Sequence, residues 1–276
     1  MERRYVAFFF LVPLVLLLGI FLIYPLALVF IESVSIDGHI SLANYLMLFT
    51  KNLYRESLGT SLALSFSTAI LGTVIGLPLS YIVYKSQGRF RQFLMAPTAV
   101  PLTFSGLVIG FMLIILLGTS GFITMIFSQI FGFNPLEFSA FLFTWRGLVV
   151  AYLYFLIPRM ILTMTAAWSN ADWSLIEAAM NLGASRMTIL FKVLLPMLGP
   201  AIFAGSSLLF AVSMGAFGTA FALTGTGVKI LPLVIYTHIS EVSVDIGRAD
   251  ALAVVLAVVT TVVITLYERL FASKGR

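Results

Sequence analysis

The chain has 276 residues, of which 61% are apolar and only 10% are charged. A soluble domain sits nearer 45–50% apolar and about 25% charged. That excess excludes a soluble enzyme, a nucleic-acid binder and a disordered chain, and points to an integral membrane protein. The net charge of +5 reads as Lys and Arg gathered on one membrane face rather than as a nucleic-acid surface. With no Cys, disulfides and thiolate chemistry are absent.

Crossing hydrocarbon of about 30 Å takes roughly 20 apolar residues in a helix. Six stretches meet that length: Tyr5 to Ile31, Leu58 to Tyr84, Thr98 to Leu117, Trp145 to Trp168, Pro196 to Leu223 and Ala249 to Phe271. None alternates with the period of two that a barrel needs. The first follows Arg3 and Arg4, but its apolar run is too long for a signal peptide and no A-x-A site follows, so a retained helix is expected. The expected fold is all-α, a polytopic membrane protein of six transmembrane helices, with 1–276 as a single membrane domain and no internal repeat.

Six spans place both termini on one side. Arg3, Arg4, Lys85, Arg89, Arg91, Arg186, Lys192, Arg269, Lys274 and Arg276 then share one face. Lys51, Arg55, Lys229 and Arg248 lie on the other, and Arg146 and Arg159 fall within the fourth span. The positive-inside rule makes the richer face, and both termini, cytoplasmic.

Chemistry-bearing motifs are scarce. There is no G-x-x-x-x-G-K-[ST], no H-E-x-x-H and no G-x-S-x-G. His39 and His238 lie on different outer loops and read as solvated residues rather than metal ligands. An intramembrane enzyme would lack its catalytic set. A self-contained secondary transporter would predict inverted repeats, and none is evident.

The inner loop at about 169–195 is the informative segment. Ser174 to Glu177 fits S-x-x-E, a capping box that would start a short helix, and Gly183 suits the left-handed position that would end it. Ser185 can cap a second short helix, and Pro196 would restart the chain as the fifth span. Exposed Leu175, Ile176 and Met187, with small Ala178 and Ala179, suit docking against a soluble partner.

Glu177-Ala178-Ala179, Gly183 four residues on, and Leu195-Pro196 twelve beyond that resemble the EAA loop of permease subunits in type I binding-protein-dependent ABC importers. Pro97 to Pro101, Gly118 to Gly121 and Gly215 to Phe217 are also similar to that family. The resemblance implies the type I ABC importer permease fold in a bacterial cytoplasmic membrane. It implies a coupling helix with Glu177, Ala178, Ala179, Gly183, Ser185 and Arg186 seated in an ATPase groove. The implied partners are two cytoplasmic ABC ATPase subunits, a second permease subunit (a heterodimer rather than a homodimer), a periplasmic or lipid-anchored solute-binding protein and membrane lipid, with no nucleic acid. ATP and Mg would belong to the ATPase, and this chain would hold no cofactor or metal.

For the pathway, Ser213, Phe217, Thr219 and Phe221 in span five are candidates; equally, Ser and Thr could bond their own helix and Phe face lipid. Gly72-x-x-x-Gly76 and Gly106-x-x-x-Gly110 read as helix-packing patterns. Pro78, Pro97, Pro101 and Pro158 would kink or bound helices. Arg159, well inside span four, would line the pathway, pair structurally, snorkel toward the cytoplasm or meet a partner permease. Outer Glu32, Asp37, Glu56, Glu137, Glu241, Asp245 and Asp250 exceed the outer cations and favour a cationic solute, with the spermidine/putrescine branch as the nearest resemblance. Arg159 argues instead for an anion such as a phosphonate or sulfate; ferric iron is a further alternative.

Overall fold

A computed structural model of the chain describes residues 11–36, 38–240 and 244–272. Arg3, Arg4, Asp37, Glu241, Lys274 and Arg276, and residues 5–10 of the first expected span, lie outside them. The chain forms α1 (Leu11–Ser33), a short antiparallel ribbon of β1 (Ser35–Ile36) and β2 (His39–Ile40), then α2 (Ala43–Thr50) and α3 (Asn52–Lys85). In the ribbon Ser35 faces Ile40 and Ile36 faces His39. Next come α4 (Gly88–Thr103), α5 (Gly106–Leu117), α6 (Phe122–Phe131), α7 (Pro135–Ala140) and α8 (Trp145–Ser169). The remainder is α9 (Ser174–Asn181), α10 (Arg186–Met214), α11 (Gly218–Thr224), α12 (Leu231–Ser240) and α13 (Ile246–Ala272).

Among the described residues, six helical stretches are long and apolar enough to cross a membrane. Spans one, two, four and six fall where the sequence places them, within a few residues. Span three does not. Its expected first part, from Thr98, belongs to α4, and the chain breaks at Phe104 and Ser105, both extended. The crossing stretch is Gly106–Phe131, which runs from α5 through the turn at Gly118–Gly121 into α6. Apolar composition is continuous across this break, so hydropathy alone shifts the span by about two turns.

Span five also differs. It starts at Arg186, not at Pro196, because the second loop helix and the span are one continuous helix. Pro196 lacks an amide hydrogen, and its ring crowds the carbonyl four residues back. The helix absorbs this by widening: Leu190–Leu194 form a π turn in which the Leu195 N–H donates to the Leu190 carbonyl. The same solution occurs in α1, where Gly19–Ile23 widen and the Tyr24 N–H donates to the Gly19 carbonyl directly before Pro25. At its far end span five stops at Met214, and α11 follows after Gly215, Ala216 and Phe217.

The core is built around α8. Leu148, Tyr152, Leu156, Met160 and Met164 are essentially inaccessible, so the face of α8 that they share is fully enclosed, while Val150 and Leu162 on the other side stay exposed. α3 and α10 flank it. Gly72 and Gly76 allow that approach: a Cβ at Gly76 would lie 2.7 Å from the Met160 side chain, and one at Gly72 would lie 2.7 Å from Leu209. Gly106 and Gly110 serve α5 against α11 in the same way, with a Cβ at Gly110 reaching 2.5 Å from the Ala222 Cβ. Both small-residue patterns thus lie at close helix contacts. A second cluster of Leu48, Tyr54, Leu231, Val234 and Leu252 ties α2, α3, α12 and α13 at the opposite end from α9. His238 belongs to α12 and its Nε2 lies 3.1 Å from the Tyr54 hydroxyl, so it is a half-buried helix residue rather than a solvated loop histidine.

Candidate functional site: a central cavity and the loop at 169–195

Two helix breaks meet beside α8. One separates α4 from α5 and the other separates α10 from α11. A broken helix frees backbone groups that a hydrocarbon interior cannot solvate. Here one side chain binds such a group at the second break, and another ties the two breaks together. The Tyr152 hydroxyl donates to the Ala216 carbonyl at 2.6 Å, and the Thr219 hydroxyl donates to the Gly106 carbonyl at 2.8 Å. The two breaks and α8 border a half-open cavity of about 250 Å³, lined by Pro101, Phe104, Phe155, Arg159, Phe217 and Thr219 among others.

Among the described residues, Arg159 is the one ionisable residue on that lining. Its guanidinium turns back one helical turn: an Nη–H donates to the Phe155 carbonyl at 2.6 Å, and the group lies 5.5 Å from the Phe155 ring centre. This direction leads away from the Ser169 end of α8, opposite to the snorkelling that is one of the four readings of Arg159. No carboxylate lies within ion-pair distance of it among the described residues.

The pathway candidates therefore divide. Arg159, Phe217 and Thr219 share the cavity. Ser213 does not: it is buried and accepts a hydrogen bond from the Thr68 hydroxyl at 3.0 Å, which joins α10 to α3. Phe221 stacks on Phe217 at 5.3 Å and meets Tyr236 edge-on at 4.9 Å, outside the cavity lining.

At the other site, α9 carries no buried residue, and Leu182 and Met187 are 88% and 69% exposed. Gly183 has φ of +75°, and α9 ends in a paired closure: the Gly183 N–H donates to the Met180 carbonyl and the Ala184 N–H to the Ala179 carbonyl. Ser185 accepts from the Thr188 N–H at 3.2 Å and starts α10. The expected capping box does not form. Asp172 takes that part: its Oδ1 accepts from both the N–H and the hydroxyl of Ser174. The Glu177 N–H donates instead to the Trp173 carbonyl, because Trp173 already has helical backbone angles. Glu177, Ala178 and Arg186 are exposed and Ala179 half-buried. The loop residues lie together on one surface, while the cavity residues lie within the bundle.

Beneath α9 sits a feature that sequence reading missed. Trp173 stacks on Tyr84 with ring centres 5.6 Å apart and planes 3° from parallel, and lies 6.1 Å from Trp168. Trp168 meets Tyr81 at 4.9 Å, and its indole N–H donates to the Ser80 hydroxyl at 3.0 Å. These residues come from segments some eighty positions apart, so no local pattern announces them.

Comparison with known proteins fits this architecture. Residues 72–273 match the family described as binding-protein-dependent transport system inner membrane component. The chain belongs to that family and is an ABC importer permease, a multi-pass membrane protein. It is 29% identical over 231 residues to the spermidine/putrescine transport system permease protein PotB of Haemophilus influenzae, covering 83% of this chain and 79% of that one. It is 28% identical over 192 residues to the molybdenum transport system permease protein ModB of Escherichia coli, covering 68% and 81%. Its fold matches a crystal structure of a bacterial ABC transporter involved in the import of the acidic polysaccharide alginate, with a TM-score of 0.77 at 17% identity, covering 100% of this chain and 98% of that one.

Proposed function

We propose that residues 1–276 form one permease domain that builds half of a solute pathway, with both termini cytoplasmic and with a second, non-identical permease completing the pathway. The loop at 169–195 docks α9 into a cytoplasmic ATPase, with Glu177, Ala178, Ala179, Gly183, Ser185 and Arg186 at or beside the contact. Its exposed apolar residues on a firmly terminated short helix support that reading. ATP and Mg are held by that partner, and a solute-binding protein delivers cargo to the opposite mouth.

The solute proposed is a small oxyanion. The observation that carries this is Arg159, a cation on the cavity wall without a carboxylate partner among the described residues. In a low-dielectric interior such a charge attracts an anion and repels a cation far more strongly than in water. The mouth adds little opposition. Glu56 is paired with Lys229 at 3.1 Å and Asp245 with Arg248 at 3.0 Å. That leaves Glu32, Glu137 and Asp250 against Lys51 and Arg55 as the remaining outer charges among the described residues. The relative ModB, whose name gives it a molybdenum transport system, supports this class.

A polyamine is the second reading, favoured by the similarity to PotB, whose name gives it a spermidine/putrescine system. Uptake of labelled molybdate, sulfate and putrescine by cells carrying the whole transport system separates the two. Under the oxyanion reading Arg159→Gln abolishes uptake of one oxyanion, and Arg159→Lys keeps part of it. Putrescine uptake that survives or rises in Arg159→Gln would overturn it.

A further inference from the structure

We infer that Trp173 is the positioning residue that transmits force between α9 and the cavity-lining helices, acting as the outer plate of an aromatic strut completed by Tyr84, Trp168 and Lys85. The inference rests on the proposed coupling role of the 169–195 loop.

Trp173 is bound at both of its ends. Its backbone carbonyl accepts from the N–H groups of Ile176 and Glu177, the first turn of α9. Its indole N–H donates to the Trp168 carbonyl at 3.2 Å, in the last turn of α8. Its ring lies flat against Tyr84, in the last turn of α3. Lys85 covers the stack, with Nζ 5.1 Å from the Trp173 ring and 5.8 Å from those of Tyr81 and Tyr84. Trp168 then fixes α8 to α3 through Ser80. Offset-stacked planar rings have few rotamers and pack closely, so they carry displacement that a flexible aliphatic contact would absorb. Two turns or more along α8 lie Arg159 and Phe155, on the cavity wall. Movement of α9 thus reaches the cavity as a shift of the α3–α8 pair, the kind of small rigid shift that packed elements convert into a switch.

The strut lies on the bundle side of α9 and leaves its exposed face intact. Docking and transmission are therefore separable. The test uses the complete complex, purified with its ATPase subunits in lipid nanodiscs, and its solute-binding protein as isolated from the periplasm. Three quantities are read: ATPase retained on the complex, basal ATP hydrolysis, and the fold-stimulation of hydrolysis by the binding protein. Trp173→Ala is expected to keep the first two and to reduce stimulation roughly tenfold, while Trp173→Phe, which keeps a stacked ring, holds most of it. Lys85→Met, at an exposed position that does not threaten folding, is expected to reduce stimulation by about two- to fivefold through loss of the cation over the rings. Stimulation equal to wild type in Trp173→Ala or in Lys85→Met overturns the strut. So does loss of the ATPase from Trp173→Ala while Trp173→Phe keeps it, since that assigns Trp173 to docking. If wild type itself retains no ATPase, the coupling reading fails first.

Discussion

The Thr219 hydroxyl donates to the Gly106 carbonyl across 2.8 Å, and so one side chain fastens the start of α11 to the start of α5. Each helix follows a break, and the breaks lie on the same cavity. Thr219→Val keeps the shape and removes the donor. Loss of a typical buried hydrogen bond costs about 0.5–1.5 kcal/mol. Tyr152→Phe leaves the half-buried Ala216 carbonyl with no other protein donor among the described residues, and the cost rises to about 1–3 kcal/mol. Both variants are expected to unfold at lower temperature in detergent, Tyr152→Phe more so. A Tyr152→Phe midpoint equal to wild type would show that the freed carbonyl is solvated.

Glycines in α3 give a paired test of close packing. Gly76→Ala places a methyl 2.7 Å from Met160, within a filled core, and overpacking of that kind costs about 1–3 kcal/mol. Gly59 lies in the same helix with nothing within 4 Å of an added Cβ. There the intrinsic preference for Ala over Gly, about 0.8–1.0 kcal/mol, acts alone and Gly59→Ala gains stability. Opposite shifts in thermal midpoint are the expected result.

In the loop, Asp172 and Glu177 separate folding from docking. Asp172→Ala removes the acceptor that holds the first turn of α9 and costs about 0.5–2 kcal/mol of local stability. Backbone hydrogen exchange at residues 174–178 should speed up accordingly. Glu177→Gln removes no cap, so exchange there stays at the wild-type rate. Retention of the ATPase on the purified complex should fall all the same. ATPase retention equal to wild type in Glu177→Gln would remove Glu177 from the docking contact.

Gly183 is predicted to tolerate Asn better than Ala. At φ of +75° a β-carbon costs roughly 1–2 kcal/mol, and Asn recovers part of that by bonding locally. No neighbour lies within 4 Å of an added Cβ, so the penalty is purely one of backbone angle. ATPase retention should rank Gly, then Asn, then Ala. An equal rank for Ala and Gly would mean that the closure of α9 does not set docking.

What sequence reading captured was whatever short-range rules control. Six spans follow from composition, and Gly183 and Ser185 follow from turn and cap chemistry within four residues. Asp172 was missed because a serine two positions later matched the usual capping pattern first. The breaks at Phe104–Ser105 and Gly215–Phe217 were missed because breaking a helix inside apolar sequence leaves hydropathy unchanged. Arg159 was visible as an oddity, but its direction depends on the Phe155 carbonyl one turn back. That Ser213 lies off the cavity lining was not legible, because a serine in a span bears no mark of its neighbour, and the neighbour is Thr68. The aromatic strut needed α3 and α8 to be brought together before any of its rings could meet.

The π turns before Pro25 and Pro196 carry a consequence for how the surfaces of α1 and α10 are arranged. One residue in excess of the α repeat is a phase slip: everything beyond it is rotated by about 100° relative to an uninterrupted helix. In α10 the slip falls between Arg186–Ile189 at the loop and Leu195–Met214 in the bundle. Residues that a helical wheel would set on one face are therefore dealt to different sides. The surface offered by Arg186 and Met187 has been uncoupled in azimuth from the one that packs on α3 and α8, and a single-residue deletion in 190–194 would swing one a third of a turn against the other.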